Sequence, residues 1–139
     1  MRLVKVDHTN ESHLKLLYQL LEERPLRANI SHNRMPSKAE HRDFVRFHHY
    51  REWFIFDYGA IYLTDLNEIG VATLKEHQGK GYARKAIELI VRLKKPLPEV
   101  KGLRCGHFIA NINPDNKASI KLFEGLGFRH IQNTYRLGG

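Results

Sequence analysis

Two glycines and two basic residues lie close together in the segment Gln78-Gly-Lys-Gly-Tyr-Ala-Arg84. Small residues let a backbone approach an anion closely, and the unpaired N–H groups of a helix's first turn attract it. The pattern therefore predicts a phosphate-binding loop. It is not a dinucleotide fingerprint, because Arg84 stands where a third glycine is required, and it is not a Walker loop, because Gly81 follows Lys80. A glycine-bearing turn without a ligand is the alternative interpretation.

Hydrophobic periodicity predicts the elements that position this loop. A strand over Glu68–Leu74 enters it, and an amphipathic helix leaves it from Ala83 and ends before Pro96 and Pro98. Upstream, we expect a strand over Arg2–Val6, a helix over Asn10–Glu23 that ends at Pro25, and a loop over Arg27–Pro36. A second helix is expected from the capping box Ser37–Glu40 to Tyr50. Two strands, over Trp53–Phe56 and Ala60–Leu63, are expected on either side of the turn Asp57–Gly59. Downstream, we expect a buried strand over Leu103–Ile109, a helix over Ser119–Leu126 capped by Gly127, and a final strand or hairpin over Phe128–Leu137.

This order of elements predicts one α/β domain over residues 1–139, with helices packed on a mixed sheet. The chain is 42% hydrophobic and 27% charged, which excludes intrinsic disorder. Its single cysteine, Cys105, cannot form an internal disulfide, and no apolar run is long enough to span a membrane. The sequence thus predicts a cytoplasmic protein. A net charge of +8 favours anionic partners, such as nucleic acid or a phosphorylated small molecule.

Two segments resemble the GNAT superfamily of acyl-CoA-dependent N-acetyltransferases. Gln78-Gly-Lys-Gly81-Tyr-Ala83 matches its Gln/Arg-x-x-Gly-x-Gly/Ala signature, and Asn116-Lys-Ala-Ser-Ile-Lys-Leu-Phe123-Glu-Gly-Leu-Gly-Phe128 matches its second signature. The resemblance implies a mostly antiparallel sheet with splayed strands, flanked by about four helices. The stretches Asn113–Phe123 and Asn67–Gly70 most resemble the branch that acetylates nucleotide-linked amino sugars.

The resemblance implies three groups of contacts to acetyl-CoA, the expected co-substrate. Backbone groups of one strand would pair with the pantetheine arm, the glycine-bearing loop would hold the pyrophosphate, and an asparagine would bond the cofactor near the pantetheine. In that order these residues are Val71, Ala72 and Thr73; Gly79, Lys80, Gly81, Tyr82, Ala83 and Arg84; and Asn116. Asn116 is equally suited to be a helix N-cap, and the two roles are compatible.

The implied reaction is direct attack of a primary amine on the thioester in a ternary complex. The amine must lose a proton, and the resemblance implies Glu68 as the candidate base, because it begins the strand that leads to the loop and some members of the family use a carboxylate at such a position. Alternation places Glu68 on one strand face with Gly70 and Ala72. A solvated glutamate with a water chain as base is the alternative, and His77 is a third candidate for which we favour a surface role. The tyrosine that many relatives use as an acid is replaced by Phe123, which we expect only to pack.

The remaining chemical groups predict no further site. His41, His48 and His49 are expected on a solvated helix face without a metal, and Cys105 is expected to be a small buried residue of a strand. The expected partner is a small-molecule amine, with no nucleic acid and no membrane, and a homodimer is compatible with the sequence. Two other function classes stay open, which are a basic nucleic-acid-binding module and a CoA-binding domain without catalysis.

Overall fold

A computed structural model of the chain describes residues 1–24 and 35–138. Its elements are β1 (Val4–Lys5), α1 (Glu11–Glu23), α2 (Lys38–Arg46), β2 (Glu52–Phe56), β3 (Gly59–Leu63), β4 (Ile69–Thr73), α3 (Tyr82–Leu93) and α4 (Lys117–Gly125). A single 3-10 turn over Lys75–His77 follows β4. Within the described residues, no helix is long and apolar enough to cross a bilayer.

The four strands form one antiparallel sheet in the order β1-β2-β3-β4. Neighbouring strands β2, β3 and β4 follow each other in the chain, so short turns suffice to join them. In the pairing of β3 with β4, Ile61 lies opposite Val71 and Tyr62 lies opposite Gly70. This register decides which side chains share a face of the sheet.

The two faces of the sheet carry two separate apolar clusters. Because strand residues alternate between faces, Ile61, Leu63 and Ile69 turn to one side and pack with α3 and α4. The opposite side carries Trp53 and Ala60, which pack with α1 and α2. The predicted architecture of a mostly antiparallel sheet with four helices is therefore confirmed.

Side-chain caps explain where the helices begin and end. The Asn10 side chain accepts hydrogen bonds from the backbone at the start of α1, and Ser37 and Glu40 form the predicted capping box of α2. Gly127 follows α4 with a φ of 96°, a left-handed conformation that suits glycine. Helix α2 ends at Arg46, which is earlier than the predicted Tyr50.

The predicted strand over Leu103–Ile109 does not form. Gly102, with a φ of 79°, reverses the chain so that Val100 pairs with Arg104 in a tight turn, and Leu103 is 66% exposed. At the other end of the segment, Ile109 makes a parallel bridge to Glu68. After this bridge the two segments form no further strand pairing among the described residues, which agrees with the expected splayed arrangement.

The predicted final strand over Phe128–Leu137 is also wrong. Residues 129–138 are all exposed, so they bury no apolar face against the domain, and they pair with no strand among the described residues. Cys105 lies in an irregular segment and is half-buried, so it is not a buried strand residue. The predicted end of α1 at Pro25 and most of the loop Arg27–Pro36 lie outside the described residues.

Candidate active site

The glycine-bearing loop has the conformation that an anion cradle requires. Gly79 and Gly81 have φ angles of 79° and 85°, and no atom of the described residues lies within 4 Å of the position that a Cβ would take on either. Gly81 is the N-cap of α3 and provides no side-chain cap for that helix. The N–H groups of the first helical turn are therefore available to an oxyanion. Lys80 is exposed beside them and adds positive charge.

The residues after the loop differ in where they point. Tyr82 and Ala83 are half-buried, and Tyr82 packs against the core on the α3 side of the sheet. Arg84 donates from Nε to Glu88 Oε1 over 3.1 Å, an exposed i, i+4 pair along α3. In the described structure, the Arg84 guanidinium is thus bonded along its own helix.

An aromatic stack supports the segment that precedes the loop. The Tyr58 and His77 rings are nearly parallel with centroids 3.5 Å apart, and Tyr82 meets Tyr58 edge-on at 5.5 Å. His77 is half-buried between these rings, with a buried Nδ1 that has no partner among the described residues, so its predicted surface role is wrong. Sequence analysis missed Tyr58 because the residue lies in a hairpin turn, and only tertiary packing brings it to the loop.

Among the described residues, the outer edge of β4 presents unpaired backbone groups. The Ile69 N–H donates outward to Ile109, whereas the Leu74 N–H donates inward to Tyr58. By alternation, Val71 and Thr73 also direct their backbone groups outward, and Ala72 directs its own toward β3. The Thr73 carbonyl accepts from Gln78 Nε2 at 3.0 Å, and the Thr73 hydroxyl is buried without a partner among the described residues. Two of the three predicted strand residues, Val71 and Thr73, therefore face the space along the outer edge of β4 beyond the Glu68–Ile109 bridge, which we call the opening.

Asn67 holds the closed end of this opening. It is 0% exposed, and its Nδ2 donates to the carbonyls of Leu97 and Cys105 at 3.0 and 2.7 Å. Its Oδ1 accepts from the Leu97 N–H at 2.7 Å, and its carbonyl accepts from the Ile109 N–H. One buried side chain thereby fixes two irregular segments beside the start of β4. Its position between the predicted strands Ala60–Leu63 and Glu68–Leu74 gave no sequence signal of this role.

Glu68 lies where the two segments diverge. Its Oε1 accepts from the Tyr62 hydroxyl at 3.3 Å, and its Oε2 accepts from Asn111 Nδ2 at 2.7 Å. It is half-buried on the sheet face that also carries Tyr62 and Gly70, as alternation predicts. The structure therefore places a carboxylate next to the open edge of β4, on the side covered by α1 and α2.

Two stacked tyrosines form the wall beside Glu68. Tyr50 and Tyr62 have ring centroids 4.1 Å apart and planes within 4° of parallel. Burial raises the pKa of both phenols, and the negative charge of Glu68 adds to the effect for Tyr62. Arg24 is near enough to oppose both shifts. Both phenols are therefore neutral hydrogen-bonding groups near neutral pH.

Asn116 and Phe123 mark the helix on the other side of the opening. The Asn116 Oδ1 accepts from the Ser119 N–H at 3.1 Å, so the residue is the N-cap of α4 and only its oxygen is used in the cap. Phe123 is buried, and its ring meets Phe128 edge-on at 5.0 Å. Its packing role agrees with the sequence-based expectation.

A family model supplies the decisive comparison. The acetyltransferase (GNAT) domain model matches residues 8–129, which is most of the chain. The chain belongs to the GNAT acetyltransferase family. No curated protein sequence matches this GNAT chain at a significant level.

Two solved structures share the fold of this GNAT chain. An acetyltransferase from Thermus thermophilus is 18% identical with a TM-score of 0.66, and the match covers 95% of this chain and 88% of that one. The yncA putative acetyltransferase from Salmonella typhimurium, solved with its cofactor acetyl-CoA, is 20% identical with a TM-score of 0.62. That match covers 92% of this chain and 79% of the other.

The histidines of this GNAT domain are not where sequence analysis expected them. His41 is 6% exposed and packs edge-on against Tyr18, and His48 follows the end of α2 and contacts Trp53 at 5.0 Å between centroids. Burial lowers the pKa of both. The error arose because the charged pattern of α2 hid its small buried face. Among the described residues, no group of three or more acidic, histidine or cysteine side chains could hold a metal ion.

Proposed function

We propose that the chain is an N-acetyltransferase that moves the acetyl group of acetyl-CoA directly to a primary amine. The observation that carries this proposal is one arrangement, in which a strand with an open backbone edge runs from Glu68 to an uncapped, glycine-bearing helix N-terminus. A carboxylate thus lies at one end of the edge and an anion cradle lies at the other. The family membership and a relative solved with acetyl-CoA support the same co-substrate.

The residues around the opening fit acetyl-CoA. A pyrophosphate needs N–H donors and space, and the N-terminus of α3 supplies both at Gly79 and Gly81. An amide-bearing arm needs an unpaired strand edge, which Val71 and Thr73 provide, and the partnerless Thr73 hydroxyl is a further donor. When bound, acetyl-CoA supplies an acetyl group activated as a thioester.

The chain's own residues then handle the proton and the developing charge. An amine attacks only in its neutral form, so we assign Glu68 as the group that accepts its proton. Outward-facing N–H groups of β4 would donate to the acetyl oxygen as it gains negative charge. Lys80 would attract the anionic co-substrate, and Asn116 retains its Nδ2 for a contact to it. Arg84 can reach a phosphate only after it leaves Glu88.

A pair of glycine variants tests the anion cradle. Gly81→Val adds a side chain at the position that must approach the pyrophosphate, and it strains a left-handed backbone. Gly102→Val is the matched control, because Gly102 has a similar φ of 79° and equally open surroundings in a distant turn. In calorimetric titrations, we expect Gly81→Val to weaken acetyl-CoA binding by about tenfold or more, equivalent to about 1.4 kcal/mol. We expect Gly102→Val to bind like the wild type, and equal affinities of the two variants would contradict the assignment.

The acceptor amine is addressed by measuring CoA release across chemical classes. We propose a nucleotide-linked amino sugar as the first acceptor to test, because the sequence resembles that branch and the net charge of +8 favours anionic substrates. Peptides and polyamines serve as the competing classes, with thioester hydrolysis subtracted. Turnover with any primary amine supports acetyl transfer. Acetyl-CoA binding without turnover across the panel would instead indicate a CoA-binding domain.

A further inference from the structure

Two donors from different parts of the chain hold the Glu68 carboxylate. Asn111 Nδ2 donates to Oε2 at 2.7 Å, and the Tyr62 hydroxyl donates to Oε1 at 3.3 Å. Tyr62 belongs to β3, whereas Asn111 lies two residues beyond the Glu68–Ile109 bridge, where the segments have begun to diverge. The contact to Asn111 therefore joins the two segments next to the bridge.

We propose that Asn111 and Tyr62 are positioning residues that fix the Glu68 carboxylate for proton transfer, with Asn111 the stronger of the two. This inference rests on the proposed function, because it assumes that Glu68 accepts the amine proton. Neither residue belongs to the glycine-bearing loop or to the open edge of β4, so neither is expected to contact acetyl-CoA there. Both act only through Glu68.

The geometry explains why each donor is itself held in place. The Tyr62 ring is stacked on Tyr50, and its atoms occupy the space that a Cβ on Gly70 would need. Any larger residue at position 70 would displace the ring, so glycine there gives the hydroxyl its position. Asn111 is set by the backbone bonds of Ile109 to β4 and to Asn67. A short bond from an amide to a carboxylate is among the stronger neutral-donor contacts in proteins.

The surroundings of the carboxylate make Asn111 a sensitive position. Tyr62 lies on β3, Tyr50 stacks behind it, and Arg24 at the end of α1 acts on both rings. Asn111 itself is neutral, so it donates to the carboxylate without competing for its proton. An aspartate in the same place would put two carboxylates within hydrogen-bonding distance, and such a pair cannot easily hold two negative charges.

The test replaces Asn111 with aspartate and follows Glu68 directly. In a carbon-13 NMR titration of the glutamate carboxyl groups, we expect Asn111→Asp to raise the Glu68 midpoint by about one pH unit or more. We expect the acid limb of the kcat/KM profile to move in the same direction. Asn133→Asp adds the same charge at an exposed position of the C-terminal segment and should move neither. Tyr62→Phe keeps the stacked ring, removes the hydroxyl, and should lower kcat while leaving the KM for acetyl-CoA unchanged.

Separate outcomes distinguish this inference from the proposed function. Equal Glu68 midpoints in Asn111→Asp and Asn133→Asp would overturn the contact on which the inference depends. A shifted midpoint with an unchanged pH–rate profile would show that the ionisation of Glu68 does not control the rate, which would overturn its role as base and the positioning role that depends on it. Acetyl-CoA titration of the wild-type chain judges the proposed function independently, since neither positioning residue lies in the glycine loop. Circular dichroism melts confirm that each variant is folded before it is scored.

Discussion

At the scale of single residues, the proposed reaction depends most on the Glu68 carboxylate. Glu68→Gln keeps the size of the side chain and removes its basicity. It also places an amide NH₂ group opposite one of the two groups, the Tyr62 hydroxyl and Asn111 Nδ2, that now donate hydrogen bonds to the carboxylate. We expect kcat to fall by roughly a hundredfold or more, because a general base contributes about that much. Steady-state kinetics across a pH series measure the effect.

The control for this prediction is another glutamate. Glu99→Gln changes the same group at an exposed position beside the Val100–Arg104 turn, and we expect wild-type kinetics from it. Acetyl-CoA affinity should be the same in both variants, since neither residue lies in the glycine loop. If Glu68→Gln turned over at the wild-type rate at every pH, the proton would have to leave through a water chain instead.

Phe123 occupies the position at which many relatives have an acidic tyrosine. Its ring is buried in the cluster with Ile87 and Ile90 and contacts Phe128. We expect Phe123→Leu to keep kcat within roughly tenfold, because similar apolar exchanges cost under about 1.5 kcal/mol. We expect Phe123→Tyr to give no large gain, since the thiol of CoA, with an ordinary pKa of about 8.5, is a tolerable leaving group.

Thermal melts alongside the kinetics separate packing from chemistry at this position. A tyrosine hydroxyl placed in the apolar cluster has to find a hydrogen-bond partner there, so Phe123→Tyr should not be more stable than the wild type. A tyrosine variant that is faster by orders of magnitude would show that protonation of the sulfur limits turnover. It would also show that the ring reaches the reacting atoms rather than only packing beside them.

At the scale of elements, the opening beside β4 is held by Asn67. Its three side-chain hydrogen bonds tie the start of β4 to Leu97 and Cys105, and its φ of 66° is one that asparagine tolerates. We expect Asn67→Leu to lower the free energy of unfolding by about 3 kcal/mol, because it leaves the Leu97 N–H and two carbonyls without their partner. Urea denaturation measures the loss, and the exposed Asn133→Leu should change it by less than about 0.5 kcal/mol. A small effect of Asn67→Leu would mean that water replaces the amide.

The same elements show how far the sequence predicts this fold. Periodicity and capping residues predict α1, α2, α3 and β2 to β4 well, because each shows its buried face or its cap within a few neighbouring residues. The segment over Leu103–Ile109 fails because its apolar residues suggest a strand, whereas Gly102 and the Asn67 contacts turn it into an irregular connection. A strand also needs a partner, and no local pattern reveals that Phe128–Leu137 pairs with no strand of the described structure.

The candidate site follows the same division between local and distant information. The glycine loop and Glu68 stand in one stretch of sequence and are found from it, although their roles stay predictions. Tyr62, Asn111 and Asn67 were missed, since each acts through a contact that only the assembled sheet creates. The predicted contacts to the pantetheine arm include Ala72 together with Val71 and Thr73, because the sequence does not show which backbone groups of a strand face outward.

At the scale of the whole molecule, positive charge dominates. The chain has 23 lysine and arginine residues against 15 acidic ones, so its field attracts anions toward any open basic loop. The nine histidines raise this charge further as the pH falls. Acidification therefore has two effects, which are general self-repulsion and the protonation of individual buried rings.

Buried histidines make the stability of the whole molecule depend on pH. Burial lowers the pKa of His41 below the ordinary 6.5, with a backbone hydrogen bond to Leu14 opposing the shift, and burial also lowers that of His48. The unfolded chain then binds more protons than the folded one, so the contribution to stability is complete only well above pH 6.5 and is lost as the pH falls through 6.5 toward the folded pKa. We expect the free energy of unfolding to fall between about pH 7.5 and about pH 5.5, the range of histidine titration.

His41→Phe keeps the edge contact to Tyr18 without the titration, so the loss of unfolding free energy over that pH range should be smaller in this variant than in the wild type. His49→Phe removes an exposed histidine and should retain the wild-type slope. Urea denaturation at both pH values measures these slopes, and identical slopes for His41→Phe and His49→Phe would show that general self-repulsion, rather than the buried ring, sets the acid sensitivity.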